Sequence, residues 1–466
     1  MKTKILPLSI VAALVTLSGC QFVPDFLLPK APIPEQFSMD SQNGTAAADI
    51  GWREFFQNPE LQQVITLTLA NNRDLKTAAL RIEEARALYG IQRADQLPNI
   101  NATAGGTRTR ALVPTVPTYA TYTSYQTGLG MTAFELDFFG RVKNLSDAAL
   151  SQFLATEEAQ RAAKVALIGE VAKVWLNERA LAEQAQIAEN TLKARRTSYE
   201  LVKQRFDAGI SNALDLRQSE TLVQSAVSAA LSLKRQHAQS MNALVLLTGS
   251  AAKLPEQQAT LSMQSITADI GAGLPSDLLT HRPDIRAAER QLRANQANVA
   301  AARAAFFPRI SLTAGVGVAS SSLSNLFGNG TNTWNFTPVV SLPIFDAGRN
   351  QATLDLAKVR TNIAVANYEK TVQVAFREVA DALDARATLA EEIAAQEAVR
   401  DAQAARLELA QARYKNGVAN YLDVLDAERE LYTAEQQLLA TRLLRLTNAV
   451  DLYRSLGGGL IEGNAK

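Results

Sequence analysis

Residues 413–429 read RYKNGVANYLDVLDAER, and residues 205–221 read RFDAGISNALDLRQSET. The two stretches agree in order at Arg205/Arg413, Gly209/Gly417, Asn212/Asn420, Leu214/Leu422 and Asp215/Asp423. Gly209 and Gly417 each sit where a long helical pattern stops, and glycine is the residue that lets a helix end and the chain reverse. The chain therefore writes one helix–turn–helix hairpin twice.

The duplication reaches well beyond the hairpin. LPNINATAGG at 97–106 lines up with FPRISLTAGV at 307–316, FGR at 139–141 with AGR at 347–349, and NRDLKTAAL at 72–80 with RPDIRAAER at 282–290. Two homologous halves follow: a first repeat over 60–250 and a second over 275–457. A linker at 251–274, marked by Pro255, Gly271 and Gly273, joins them, and a tail occupies 458–466.

Each half has the same order of helix, strand, strand, very long helix, turn and helix. Ile310, Leu312, Ala314, Val316 and Val318 alternate with Ser311, Thr313, Gly315 and Gly317. Trp334, Phe336, Val340 and Leu342 alternate with Asn335, Thr337 and Ser341, and Tyr125, Leu129 and Met131 with Gln126, Gly128 and Gly130. Segment 100–107 shows the pattern more weakly. Strands are expected at about 98–110, 121–137, 308–320 and 332–343. Period two with small polar partners is the pattern of a membrane β-barrel, although a half-buried strand of a soluble sandwich looks the same locally. Residues 141–207 contain only Gly169 as a breaker, and residues 350–415 contain neither Gly nor Pro. Helices of about 65 residues would each span about 100 Å. Their apolar positions, Val165, Ile168, Ala172, Trp175 and Val372, Phe376, Val379, Leu383, fall at coiled-coil-like spacing.

Four strands per chain are too few for a membrane barrel, whose smallest members have about eight. Closure then demands several copies, and three would give twelve strands around a lumen. The N-terminus, MKTKILPLSIVAALVTLSGC, reads as an export signal over 1–19 with a basic start, a short apolar run and a final Leu-Ser-Gly before Cys20. Cys20 is the single cysteine, so no internal disulfide is possible. Residues 20–59 would form an extended N-terminal segment, lipidated if the Leu-Ser-Gly-Cys run is the lipoprotein signal that it resembles. Lys+Arg 47 against Asp+Glu 46 offers no basic face for nucleic acid.

LPSDLLTHRPDIRAAE (274–289), AAFFPRISL (304–312), LPIFDAGR (342–349), YEKTVQVAFREVADAL (368–383), NYLDVLDAER (420–429) and LYRSLGGG (452–459) together resemble the TolC-like outer-membrane efflux family, in its OprM-like lipoprotein branch. The resemblance implies an α+β membrane protein and a homotrimer. Its twelve-stranded β-barrel would continue into a twelve-helix α-helical periplasmic barrel. It implies a passive exit duct, not an enzyme, working with a periplasmic adaptor (membrane fusion) protein and an inner-membrane transporter of the resistance–nodulation–division (RND) type. The Leu-Ser-Gly-Cys run resembles a lipobox, which implies a covalent lipid on Cys20, sorting to the outer membrane, contact with its lipid, and no other cofactor.

The two hairpins differ at Tyr421, Asp426 and Arg429, which replace Ala213, Gln218 and Thr221. Leu422, Asp426 and Arg429 lie four and three residues apart and share a helix face. Spacing alone allows a surface ion pair worth about 0.3–0.5 kcal/mol as readily as pore lining. The family resemblance implies that Leu422 forms an apolar plug, Asp426 a carboxylate ring and Arg429 its partner at a periplasmic gate, with Tyr414 a tether in the next turn.

Little else carries chemistry. His237 and His281 stand apart with no Cys or His at metal-ligand spacing. Trp334, Tyr119, Tyr122 and Tyr125 fit an interfacial aromatic belt, and Trp334 fits core packing nearly as well. The duct is read as exporting drugs or toxic small molecules, with heavy-metal export and type I secretion as the runner-up assignments. A lipid-anchored coiled-coil structural protein or adhesin is the alternative from another class.

Overall fold

The computed structural model describes residues 26, 28–34, 37, 45–112, 118–250, 261, 266, 270–271 and 275–463. Cys20, the signal segment 1–19, most of the linker 251–274 and residues 464–466 lie outside the described residues. The main elements are α1 (Pro59–Asn71), α2 (Arg73–Ala94), β1 (Ile100–Leu112), β2 (Tyr119–Leu136), α3 (Arg141–Asp207), α4 (Ala213–Thr248), α5 (Pro283–Ala304), β3 (Arg309–Ser320), β4 (Asn332–Ser341), α6 (Arg349–Lys415) and α7 (Tyr421–Ser455). The helices α3 and α6 have 67 residues each. No helix among the described residues is long and apolar enough to cross a membrane.

The chain divides into two compact units. The first gathers Arg81–Glu157 and Ala287–Glu369 and contains the sheet. Its four strands run antiparallel in the order β1-β2-β3-β4, leaving β1 and β4 as edges. The weakly alternating segment 100–107 is strand throughout because β1 pairs with β2 along its whole length, from Ile100–Met131 to Leu112–Tyr119. Directly opposed residues share a face, so the register sorts the side chains. One face carries Leu129, Val316, Trp334, Phe336 and Val340, all exposed within the chain. The other carries Thr103, Gln126, Gly128, Thr313, Gly315, Asn335 and Thr337. Trp334 is 79% exposed, so it packs in no core of this chain.

The β2–β3 register shifts between Met131 and Phe134, where Ala133 takes φ 51°. This bulge moves one residue out of the ladder, and the Ala133 amide donates instead to the Thr313 hydroxyl at 3.1 Å. The shift inverts the alternation beyond it. Glu135 thereby joins the polar face and meets Arg309 at 2.6 Å and Arg141 in a bidentate pair at 2.7 and 2.8 Å. Without the extra residue the carboxylate would point to the opposite face, away from Arg309. The helical part of this unit packs through small residues: α5 buries Leu292, Ala294, Ala297 and Ala301.

The second unit gathers Ala31–Leu80, Glu158–Arg286 and Lys370–Lys466. Asn58 starts α1 by accepting from the Glu60 and Leu61 amides, with Pro59 at the first helical position. The seam positions Ala172, Trp175, Val372 and Val379 are fully buried, while Phe376 is half-buried and stacks on Phe37 at 5.1 Å. Tyr453 stacks on Phe55 at 3.9 Å and its hydroxyl donates to the Ile50 carbonyl at 2.6 Å. Gly169, the one glycine in α3, faces α7: a Cβ there would lie 3.3 Å from Arg454 Cδ. It marks a close helix–helix approach and does not break α3.

Candidate functional site

Two helical hairpins, α3–α4 and α6–α7, carry the residues singled out by the repeat. Their turns close by the same hydrogen bonds. In the first, the Gly209 amide donates to Phe206 O at 2.9 Å and Ile210 to Arg205 O at 2.8 Å. In the second, Gly417 donates to Tyr414 O and Val418 to Arg413 O, both at 3.0 Å. These are paired Schellman bonds, and both glycines sit at φ 74°, a left-handed backbone that a Cβ disfavours. Asn212 and Asn420 then cap the outgoing helices, each side chain accepting from the amide three residues on.

Around the turns lies a small core of Val202, Ala410, Tyr414, Tyr421, Val424 and Leu425. Tyr414 belongs to this core. Its ring lies 5.1 Å from that of Tyr421, and the Arg205 guanidinium of the first hairpin stands 4.6 Å above it. Leu422, Asp426 and Arg429 occupy the other side of α7. Leu422 and Arg429 are exposed and Asp426 is half-buried. Arg429 Nη2 lies 3.4 Å from Asp426 Oδ1 and equally far from Glu430 Oε1. The structure thus brings three of the four predicted gate residues onto one open face and places Tyr414 behind them. Charge on the open face is not confined to the second hairpin: Arg217 and Glu220 form a shorter pair, 2.7 Å, on the first.

Sequence reasoning missed a buried polar group behind α7. Glu428 is buried, accepts from Ser198 at 3.3 Å, and leaves its Oε2 without a hydrogen bond. Arg195 is buried, donates to the Leu222 carbonyl at 3.2 Å, and leaves its Nε unpaired. Burial pushes the Glu428 carboxyl up, against a partial opposing pull from Arg195. Burial likewise pushes the Arg195 guanidinium down. Each group is moved toward neutrality, so desolvation outweighs their mutual attraction. A cavity of about 230 Å³ lined by Arg195, Glu428, Tyr432 and Glu435 opens beside them. The available signal was Glu428 itself, a carboxylate on the stripe Tyr421, Leu425, Tyr432, at helical spacing on the buried side.

The two histidines hold structural contacts. His237 Nε2 lies 2.5 Å from Glu178 Oε1, a fully buried carboxylate that Arg179 also grips, and the His281 backbone packs against Gly457.

A four-stranded sheet with one apolar and one polar face lies in a duplicated chain of 67-residue helices and hairpin turns, the combination found in the outer membrane channels that this chain resembles in structure. The outer membrane efflux protein family matches residues 64–250 and 274–458, and the chain belongs to that family. Among its relatives, the solvent efflux pump outer membrane protein SrpC of Pseudomonas putida is 45% identical over 474 residues, covering 98% of this chain and 99% of that one. The cation efflux system protein CusC of Escherichia coli K12 is 44% identical over 461 residues, again covering 98% and 99%. The open-state MtrE outer membrane channel of Neisseria gonorrhoeae is similar in structure, with TM-score 0.87, 39% identity, and coverage of 96% of this chain and 100% of that one.

Proposed function

We propose that this protein is the passive outer-membrane exit duct of a tripartite efflux pump. The observation that carries the reading is the sheet: an uncovered apolar face, a small-polar opposite face and two free edges in one chain. Such a sheet is tolerated in lipid only when closed, and three copies give the twelve strands that leave a lumen. The polar face of Thr103, Gln126, Thr313 and Asn335 lines that lumen, while Trp334, Phe336 and Val340 face lipid. A periplasmic adaptor and an inner-membrane RND-type transporter supply coupling and energy. A lipid on Cys20 anchors the chain; intact-mass measurement of the mature protein, showing acyl mass lost in Cys20→Ser, tests that part.

The periplasmic end is closed by the second hairpin. Within one chain Asp426 and Arg429 form only a surface pair, worth about 0.3–0.5 kcal/mol. Three copies around an axis gather three such pairs with three Leu422 side chains into one constriction, where they act together. Single-channel recording in planar bilayers tests the gate. A low-conductance wild type and a larger, steadier pore in Asp426→Ala are expected; equal conductance in both moves the gate elsewhere.

The cargo is set by the transporter. The solvent-pump relative and the cation-pump relative are nearly equally similar to this chain. A duct for solvents and drugs and a duct for metal cations are therefore both supported by the same fold. Exchanging the cognate transporter while keeping this duct should change the exported class; cargo that follows the duct would overturn this.

A further inference from the structure

The apolar face of the sheet carries two positive charges that no carboxylate of the sheet answers. Residues 96–134 and 310–345 hold all four strands except for the Glu135–Arg309 clamp and Leu136. Within those stretches Arg108 and Arg110 are the only charged residues. The register sets Arg108 opposite Thr123 and Arg110 opposite Thr121, on the same face as the opposed pair Ala102 and Leu129. That face continues through Val316 to Trp334 and is the apolar one. Both arginines are exposed, and the Arg110 guanidinium stands 5.4 Å from the centre of the Tyr119 ring.

Their height on the sheet is definite. The helices α2, α3, α5 and α6 all join the strands at the end of Ile100, Leu136, Arg309 and Ser341. The opposite end holds only the connections 113–118 and 321–331. Counted from Ile100, Arg110 lies about 34 Å along β1, at about 3.4 Å per residue. At a strand tilt of about 40° this is about 26 Å of height, and the apolar band of a membrane barrel is about 25 Å tall. Arg108 and Arg110 therefore reach the rim of the band at the end away from the helices. A lipid-facing cation is costly in the middle of that band and nearly free at its rim.

The duplication supplies a contrast at equal height. Thr103-Ala104-Gly105 of β1 recurs as Thr313-Ala314-Gly315 of β3, and the same shift matches Arg108 and Arg110 to Val318 and Ser320. A need of the strand itself would be shared by both copies, and this pair is not. Two guanidinium groups two residues apart on one face repel each other, which an anion held between them relieves. Phosphate suits them, because each planar fork can donate two hydrogen bonds to phosphate oxygens. The Thr121 and Thr123 hydroxyls, on the same face, add two more donors. Tyr119 covers one side of the Arg110 guanidinium and leaves its N–H edge for the anion.

We propose that Arg108 and Arg110, with Thr121 and Thr123, bind the phosphate of a phosphorylated lipid in the outer leaflet, the lipid A part of lipopolysaccharide, at one site per chain. The proposal rests on the duct reading above, which sets the helical end in the periplasm and the rim with the two arginines at the cell surface. Native mass spectrometry of the full-length, detergent-solubilised oligomer tests it. The probes are diphosphoryl lipid A, the same lipid stripped of its phosphates, and phosphatidylglycerol. Wild-type protein should retain up to one diphosphoryl lipid A per chain, at least about tenfold more tightly than the stripped lipid. The double variant Arg108→Gln/Arg110→Gln should lose that preference, and Arg108→Lys/Arg110→Lys, which keeps the charge without the fork, should retain part of it. Three results would overturn the proposal: a wild type that holds the stripped lipid equally well, a correctly assembled Gln variant that still prefers the phosphorylated lipid, or phosphatidylglycerol retained as tightly as lipid A. The first and third comparisons use the wild type alone, so they stand even where the variants fail to assemble. A wild type that forms no oligomer in outer-membrane vesicles overturns the duct reading instead, and the proposal with it.

Discussion

The two helical hairpins share a backbone and differ in what they put on it. Both close on a glycine at φ 74°, both use the same pair of Schellman bonds, and both restart behind an Asn cap. Around that frame, both turns leave a leucine exposed, Leu214 or Leu422, but the first carries Gln218 and Thr221 where the second carries Asp426 and Arg429. The equivalent of Glu428 is Glu220, which reaches outward to Arg217 at 2.7 Å, whereas Glu428 is buried against Ser198. Turn geometry is thus fixed by a few backbone-directed residues, leaving the helix faces free to diverge. One hairpin can keep the turn while its copy carries a different charge pattern on its helix face.

The strongest way to break this comparison is to treat the two copies alike and measure the pore. Asp426→Ala should raise the open fraction about tenfold, the shift that about 1.4 kcal/mol of lost closed-state interaction produces. Gln218→Ala, at the matching site of the first hairpin, should leave conductance unchanged. Equal effects from the two variants would mean that the hairpins share the closure.

Backbone changes should show the opposite pattern, with the copies behaving alike. Gly209→Ala and Gly417→Ala each force a Cβ into the left-handed region, costing about 1–2 kcal/mol, with no neighbouring atom within 4 Å to add a clash. Hydrogen exchange of the turn amides should quicken to a similar degree in both. Removing the caps is milder: Asn212→Ala and Asn420→Ala should each cost about 0.5–1 kcal/mol, read as faster exchange at Asp215 and Asp423. A large difference between paired variants would show that packing, and not the local turn, holds one of the hairpins.

What the chain reveals before folding follows the same division. The turns, the strand alternation in 309–319 and the breaker-free stretches are local patterns, and they lie where the structure has turns, β3 and the long helices. The bulge at Ala133 was not legible, because Phe134-Glu135-Leu136 reads as an ordinary continuation of the strand until the Arg309 partner is known. The separation of Tyr414 from Leu422, Asp426 and Arg429 was hidden too. Whether a residue near a turn faces the core or solvent depends on the neighbouring hairpin, here through Val202 and Arg205. Arg195 and Glu428 are far apart in sequence and belong to different repeats, so no periodicity joins them.

The smallest expected effect concerns that buried pair and has a definite sign. Burial raises the Glu428 carboxyl above its ordinary value, so the folded tip binds a proton more tightly than the unfolded chain does. The ionised carboxylate therefore weakens the tip at neutral pH. That penalty is fully present above the raised value and is relieved as pH falls through it toward the ordinary carboxylate range near 4.5. Arg195 and Ser198 from α3 and Tyr432 and Glu435 from α7 pack around it, and of these Glu435, its carboxyl also raised by burial, titrates in the same window. Glu428→Gln keeps an acceptor for Ser198 and removes the charge. It should slow exchange of the α7 first-turn amides at neutral pH and flatten their pH dependence in that window, leaving Glu435 as the residual titration. Glu220→Gln on the first hairpin breaks an exposed pair and should change neither. A Glu428→Gln tip that is less protected at neutral pH would show that attraction to Arg195 outweighs desolvation, and the second hairpin would then be braced by the very charge that burial penalises.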